Sequence, residues 1–279
     1  MKTITVNTPQ GIGDLIWIYR KLSLVYDIIN ITILIIQENK VQKRSYDFLK
    51  TLDKIGIVNF KIVSCREYNK VAKSMYTVDD ILCDYSVNAW LENGVHIDKI
   101  DKYPINWNIN LKLGLSVVNY NYVLLYVSGC SHNSPYYQMS PENWSQLIVS
   151  VCNFIGTKNC IMIGAPYDNK KLSEIYKMAK SSLDIELFTD LHIKETMRII
   201  SNAEYFVSYQ SGLSIIAEEL RTPTLMVYYP ENKKMVDTWV RNENISKGLI
   251  KSVFFGNSVN SIVGSSKDHI KQLGMTSGY

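Results

Sequence analysis

The sequence lacks several features that would place it in a class at once. Its apolar runs all fall short of the roughly 18 residues that a membrane-spanning helix needs. The N-terminal segment M-K-T-I-T-V-N-T-P-Q-G has no apolar stretch of the signal-peptide kind. The motifs G-x-x-x-x-G-K-[ST], H-E-x-x-H and G-x-S-x-G are also absent, which argues against P-loop nucleotidases, zincin proteases and ordinary α/β hydrolases.

Cysteine and charge add two weaker constraints. The five cysteines are odd in number and form no C-x-x-C pair, so we expect a reducing compartment, the cytoplasm, with most of them packed as small apolar residues. The net charge is only +4, and the charges are scattered along the chain. Such a balance is compatible with an anionic ligand and does not require one.

The pattern that is present is an alternation of short apolar strands with amphipathic helices, which is typical of parallel sheets covered on both faces. It predicts an α/β fold of two Rossmann-like domains facing a central cleft, residues 1–115 and 116–279. Strands are predicted at 3–7, 31–36, 60–63, 122–127, 160–163, 185–188, 205–208, 224–228 and 249–255. Helices are predicted at 41–55, 79–91, 170–180, 194–201 and 213–220, with another that starts at Ser140-Pro141.

Four turns follow predicted strands, and each has small or polar residues: G-I-G-D at 11–14, S-G-C-S at 128–131, G-A-P-Y-D at 164–168 and Y-Q-S-G at 209–212. In open α/β sheets ligands bind beyond the carboxyl ends of the strands. We therefore expect all four turns to face one cleft.

The Y-Q-S-G turn is the most informative, because a helix is predicted to start directly after it. The first N–H groups of a helix lack partners within the helix, and they point at one spot where the positive end of the helix dipole lies. Ser211 and Gly212 thus predict an anion site, most often one for phosphate. The alternative is that these two residues only cap the helix.

Asp14 and His132 also have two interpretations. Asp14 is suited to act as a general base at the mouth of the cleft, or else to cap the first turn of a helix. His132 either contacts a phosphate or sugar hydroxyl, or is a solvated loop residue. G-I-G-D lacks the third glycine of a dinucleotide fingerprint, which argues against NAD.

Three motifs in order resemble the heptosyltransferase-like glycosyltransferases, glycosyltransferase family nine. They are G-I-G-D-L-I-W at 11–17, L-L-Y-V-S-G-C-S with P-E-N-W at 141–144, and the long stretch from 191 to 223 that contains S-N-A-E-Y-F-V-S-Y-Q-S-G-L-S. This resemblance implies the two-domain GT-B fold and the transfer of a sugar from a nucleotide diphosphate sugar, the co-substrate, to an acceptor hydroxyl. It implies no cofactor, and since no D-x-D motif occurs at a plausible cleft position, we expect a metal-independent reaction.

The resemblance also assigns roles to residues. Asp14 is the expected catalytic base, with Gly11 and Gly13 on the acceptor side. The expected donor-binding residues are Ser128, Gly129, Ser131, Tyr167, Gln210, Ser211, Gly212, Leu213 and Glu218. At least one of Glu218 and Glu219 is expected on a solvated helix face.

The sequence departs from the family in the donor turn, where Gln210, Leu213 and Ile215 replace the usual Asp, Pro and His. A basic residue before the Trp helix is also missing, and Lys233 or Lys234 is a candidate substitute. An epimerase or hydrolase of the same fold, and a protein that only binds a nucleotide sugar, are therefore the alternatives. The sugar (hexosyl, heptosyl or pentosyl), the acceptor (glycan, lipid, protein or nucleic acid), the oligomeric state and any peripheral association with a membrane stay open.

Overall fold

The computed structural model describes residues 2–7, 12–13, 16, 29–36, 47–48, 59–63, 118–128, 139–228, 248–254 and 256–275. The chain divides into two compact units, Met1–Asn108 and Ile109–Tyr279. None of the helices within the described ranges is long and apolar enough to cross a membrane.

The N-terminal unit contains a parallel sheet of three strands in the order β1-β2-β3. The strands are β1 (Lys2–Asn7), β2 (Ile29–Ile36) and β3 (Asn59–Val63), so the three predicted strands of this half are confirmed. Gly13 lies in a short helical segment after β1 and is half-buried. The predicted helix at 41–55 lies outside the described residues except for residues 47–48, which are helical, and the one at 79–91 lies outside them entirely.

The C-terminal unit is built on a six-stranded sheet in the order β6-β5-β4-β7-β8-β9, and every neighbouring pair is parallel. Numbered within the unit, this order is 3-2-1-4-5-6, the order of the Rossmann fold. The strands are β4 (Val123–Tyr126), β5 (Asn159–Gly164), β6 (Asp184–Thr189), β7 (Tyr205–Tyr209), β8 (Thr224–Tyr228) and β9 (Ile250–Phe254). The helices are α1 (Pro141–Ile155), α2 (Asn169–Ala179), α3 (Ile193–Asn202), α4 (Gly212–Glu219) and α5 (Val259–Gln272).

One face of this sheet carries the main hydrophobic core. Alternate residues of the strands, such as Leu125 and Val207, pack there with the apolar sides of α1, α2 and α5. Trp144 of α1 is fully buried in this cluster. Cys152 and Cys160 are buried, unbridged members of it, which confirms the predicted packing role for these two cysteines. The opposite face is covered by α3 and α4, whose buried side chains lie outside that cluster.

The C-terminal helix α5 was not predicted from the sequence, and it is joined to the sheet by a histidine to which the sequence assigned no role. His269 is 2% exposed. Its Nδ1 lies 2.7 Å from the hydroxyl of Tyr205 on β7, and its Nε2 contacts the carbonyl oxygen of Gly248 just before β9. Since a carbonyl only accepts, Nε2 carries a proton, and in the neutral ring Nδ1 accepts from the tyrosine hydroxyl.

This histidine predicts a pH-dependent stability. Burial lowers the pKa of His269 from its usual 6.5, and the positive charge of Lys251 lowers it further, while the Gly248 carbonyl opposes the shift. The unfolded chain therefore binds the proton at higher pH than the folded chain does. The contribution of His269 to the free energy of unfolding is complete above pH 6.5, and we expect it to be lost as the pH falls through the lower folded pKa.

Urea denaturation between pH 7.5 and pH 5 measures this effect. The matched variant is His269→Gln, which retains hydrogen-bonding atoms but does not titrate. The free energy of unfolding of the variant should fall less steeply with decreasing pH than that of the wild type. Parallel curves for the two proteins would show that His269 does not contribute to the slope.

Candidate donor-binding site

The strand order defines where a ligand site is expected in the C-terminal unit. The chain leaves β4 toward β5 and β6 on one side, whereas β7 leads to β8 and β9 on the other. The adjacent ends of β4 and β7 therefore form the topological switch point, where open α/β sheets bind their ligands. Tyr126 pairs with Ser208, and continuing this register places Ser128 level with Gln210. Both side chains are buried, with exposed fractions of 5% and 2%.

The start of α4 lies directly after this point. Ser211 is the N-cap residue, and its Oγ accepts hydrogen bonds from the N–H groups of Leu213 and Ser214 at 3.2 and 3.4 Å. The Oγ of Ser214 in turn accepts from the N–H of Ser211 at 3.0 Å, which completes a capping box. Ser211 therefore caps α4. Capping satisfies two N–H groups of α4 but leaves its positive dipole end at the switch point.

Gln210 is the unusual residue of the site. Its backbone N–H donates to the carbonyl of Val227 at 2.8 Å, so the ladder with β8 extends to this position. Alternation along β7 places Gln210 on the sheet face that carries α4, because Tyr209 belongs to the core on the other face. Its side-chain Nε2 and Oε1 are both buried, and neither has a hydrogen-bond partner in the described part of the chain. A buried amide without partners is rare, because each unpaired polar atom loses its hydration without compensation.

The end of β5 forms the turn next to β4. Gly164 ends the strand, and an added Cβ there would lie 2.5 Å from Leu172 Cδ1 and 3.1 Å from Asp168 Cβ, so a larger residue would have to displace the buried Leu172 side chain. The carboxylate of Asp168 is buried and accepts the N–H of Ala165 at 2.8 Å, which fixes the turn. Tyr167 is 57% exposed beside it.

Lys171, in the first turn of α2, is a cation near this edge of the sheet that the sequence analysis did not single out. Burial lowers the pKa of its amine to about 8, and the carboxylate of Asp168 opposes this shift. Most of the lysine population is therefore still protonated at neutral pH. The only sequence signal was a pair of lysines shortly after G-A-P-Y-D, which is indistinguishable from an ordinary solvated helix start.

The expectation that one of the two glutamates of α4 is solvated is wrong. Glu218 and Glu219 are 3% and 7% exposed, and the helix also buries Ser214, Ile215, Ile216 and Ala217. Six consecutive buried residues cover every side of a helix, so α4 is enclosed on all sides and has no solvated face. The sequence could not show this, because two adjacent glutamates are usually solvated.

The predicted site residues thus fall into two groups. The structure places Ser128, Gln210, Ser211, Gly212 and Leu213 together at the switch point, Tyr167 on the neighbouring turn and Glu218 within α4. Gly11, Asp14, Gly129, Ser131, His132, Lys233 and Lys234 lie outside the described residues, and Gly13 is described only in its helical segment. No group of three or more His, Cys, Asp or Glu side chains suited to bind a metal ion occurs among residues whose positions are described.

Comparison with known proteins finds one family model that matches part of the chain. Residues 138–252 match the model of glycosyltransferase family 9 (heptosyltransferase). No curated protein sequence matches the chain significantly.

Solved structures are similar over nearly the whole chain. The E. coli heptosyltransferase WaaC with ADP is 12% identical with a TM-score of 0.62, covering 96% of this chain and 100% of that one. The E. coli ADP-heptose LPS heptosyltransferase II is 10% identical with a TM-score of 0.64, covering 98% and 100%. A family 9 glycosyl transferase from Veillonella parvula DSM 2008 is 12% identical with a TM-score of 0.66, covering 98% and 96%. At such low identity these likenesses establish the fold, which is the predicted GT-B fold.

The chain is a glycosyltransferase, an enzyme that transfers a sugar from a nucleotide sugar. Residues 138–252, which match the family 9 (heptosyltransferase) model, include β5 to β8 and the Ser211-Gly212 helix start, so this part of the chain resembles the heptosyltransferase-like glycosyltransferases, as its motifs predicted.

The cap of α4 gives a prediction on stability. Ser211→Ala removes the oxygen that accepts two backbone N–H groups, so we expect the free energy of unfolding to fall by about 1 kcal/mol. Urea denaturation monitored by tryptophan fluorescence measures the loss. Ser211→Thr is the matched control, because it retains a hydroxyl at the cap and should lie closer to the wild type. Equal stability of the alanine variant and the wild type would contradict the capping role.

Proposed function

We propose that the switch point of the C-terminal sheet binds the nucleotide diphosphate sugar and that transfer to the acceptor hydroxyl needs no metal ion. The observation that supports this most directly is the Ser211-Gly212 start of α4 at the adjacent ends of β4 and β7. A helix start at this point offers a partial positive charge to an anion. The diphosphate is both the most highly charged part of the donor and the leaving group of the reaction.

The charge at the start of α4 comes from its first backbone N–H groups. Ser211 occupies the N–H groups of Leu213 and Ser214, while the N–H of Gly212 has no acceptor among the described residues. Gly212 has no side chain to keep a phosphate oxygen away from that N–H group. Stabilisation of the charge that develops on the diphosphate is the main catalytic contribution that such a site can make.

We assign further donor contacts by position. Tyr167 presents an exposed aromatic ring at the neighbouring turn, suited to pack against the nucleoside base. The hydroxyls of Ser128 and Ser131 and the backbone of Gly129 follow β4 and are suited to contact phosphate oxygens. Glu218, four residues beyond Ser214 on the same helix, is suited to accept hydrogen bonds from ribose or sugar hydroxyls.

The acceptor side of the proposal rests on the sequence resemblance and on the glycine turn after β1. Gly11 and Gly13 permit close backbone approach of the acceptor, and Asp14 is the base. The acceptor hydroxyl gives its proton to the Asp14 carboxylate, and its oxygen forms a bond to the anomeric carbon. The bond from that carbon to the diphosphate oxygen breaks, and the nucleoside diphosphate leaves with the electron pair.

The proposal includes a cofactor-free reaction in the cytoplasm. The helix end supplies the positive charge that a metal ion supplies in other transferases. Cys152 and Cys160 are unbridged, as expected in a reducing compartment. The structures of two similar enzymes, WaaC with ADP and the ADP-heptose heptosyltransferase, make adenosine diphosphate sugars the first donors to try.

A donor panel tests the proposed function. The full chain is incubated in EDTA with ADP-, UDP- and GDP-sugars, including ADP-heptose, with and without a cell extract that supplies acceptors, and the release of nucleoside diphosphate is measured. We expect release from one donor class, at least tenfold faster with extract than without it. Release that needs no extract would identify a hydrolase, an isomerised donor would identify an epimerase, and activity only after addition of Mg²⁺ would overturn the metal-independent reaction.

Asp14→Asn tests the base. The variant retains the size of the side chain but cannot accept a proton, so we expect the transfer rate to fall by about 10² to 10⁴-fold. Nucleoside diphosphate binding, measured by calorimetry, should be unchanged, because the proposed donor site lies in the C-terminal unit. Transfer at the wild-type rate would show that Asp14 is not the base.

A further inference from the structure

Among the described residues of the proposed donor site, Gln210 has a side chain whose hydrogen-bonding groups lack partners. The amide is 2% exposed, and both Nε2 and Oε1 lack hydrogen-bond partners in the described part of the chain. The main-chain N–H of Gln210, in contrast, donates a hydrogen bond to the carbonyl oxygen of Val227. The side chain therefore contributes nothing to folding that an apolar side chain of the same size could not contribute.

The position of the amide relates it to one part of the donor. Gln210 immediately precedes the Ser211-Gly212 helix start, where the diphosphate is proposed to bind, and it lies level with Ser128 on the adjacent strand. In a nucleotide sugar, the groups bonded directly to the diphosphate are the ribose on one side and the transferred sugar on the other. Tyr167, the candidate contact of the base, lies at the end of β5, on the far side of β4 from Gln210.

The chemistry of an amide selects among the groups that are available there. An amide offers two N–H donors and one carbonyl acceptor on the same planar group. Phosphate oxygens only accept, so they would pair with Nε2 but leave Oε1 unpaired beside negative charge. Sugar hydroxyls both donate and accept, so one or two of them satisfy both ends of the amide.

We propose that Gln210 is a specificity-determining residue that binds hydroxyl groups of the transferred sugar. This inference rests on the proposed donor site. The enzyme without donor retains an unpaired buried amide, and the sugar supplies the missing partners after a rotation of the side chain brings the amide to the ligand. A donor whose sugar lacks the matching hydroxyl leaves the amide unpaired and binds more weakly, as is usual when a buried polar group of a site is not satisfied.

This arrangement has a consequence that separates it from a structural role. Gln210→Met retains nearly the same length and volume and removes both polar atoms. The variant without ligand should melt at a higher temperature than the wild type, because an unpaired amide no longer has to be buried. The same variant should bind the donor sugar less well, so stability and affinity change in opposite directions.

The experiment uses the full chain and compares each nucleoside diphosphate with its nucleotide sugars: ADP with ADP-heptose and ADP-glucose, UDP with UDP-glucose, and GDP with GDP-mannose. Dissociation constants are measured by calorimetry and melting temperatures by scanning calorimetry. For the nucleotide sugar that binds best to the wild type, we expect Gln210→Met to raise the dissociation constant by about tenfold. This change corresponds to the loss of two hydrogen bonds between neutral groups. The affinity for the matching nucleoside diphosphate should be unchanged. Gln210→Glu is the charged control of the same size. It should lower the affinity for both the nucleoside diphosphate and the nucleotide sugar, because it adds a negative charge beside the diphosphate.

The outcomes distinguish this inference from the proposed function. If no nucleotide and no nucleotide sugar binds the wild type, the donor site itself is wrong and the role of Gln210 is lost with it. If the donor site is correct but Gln210→Met binds the nucleotide sugar as well as the wild type does, the inference alone is overturned. It is also overturned if the variant loses nucleotide and nucleotide sugar equally, if the wild type gains no affinity from the sugar, or if the variant without ligand melts at a lower temperature.

Discussion

The parallel pairing of β4 with β7 is the constraint on which the C-terminal unit depends. These two strands are distant in sequence, and a β-strand can pair in parallel only after a long crossover connection. One crossover runs from β4 to β5 and a second from β5 to β6, both on the same side of β4. The chain then returns, and β7 lies on the other side of β4. The return leaves the ends of β4 and β7 side by side, and Ser128 and Gln210 are thereby brought level.

Most of the described fold could be predicted because its strands and helices have simple patterns. The nine described strands were all predicted to within two residues at each end, since short β-branched or aromatic runs between turns are typical of buried parallel strands. The helix α5 was missed because its sequence is mostly polar, and Ser266 and His269 interrupt its buried apolar side. It is also held to the sheet by His269, whose partners Tyr205 and Gly248 are 64 and 21 residues away in sequence. A side chain that depends on such distant groups has no local signal.

The candidate site could be predicted in position but not in its chemistry. Strand, turn and helix start were visible in Y-Q-S-G, and the general rule for α/β sheets placed the turn at the ligand edge. The capping box needs the contact between Ser211 and Ser214, which the sequence suggests only weakly. The burial of Glu218 and Glu219 and the lowered pKa of Lys171 depend on what packs around them, and a sequence without that packing gives ordinary solvated charges.

The buried polar groups of the unit differ in whether they find hydrogen-bond partners within the fold. The hydroxyl of Tyr205, the ring of His269 and the carboxylate of Asp168 are buried with their partners within 3 Å or in direct contact, so folding alone accounts for them. Gln210 is buried to the same degree at the ligand edge, and folding does not account for it. Burial of an unpaired amide opposes folding, and a chain that retains one at a binding site needs a compensating gain when the ligand is bound. An apolar residue of the same size would have satisfied the fold alone, so the unpaired amide of Gln210 supports the proposed donor site at this edge of the sheet.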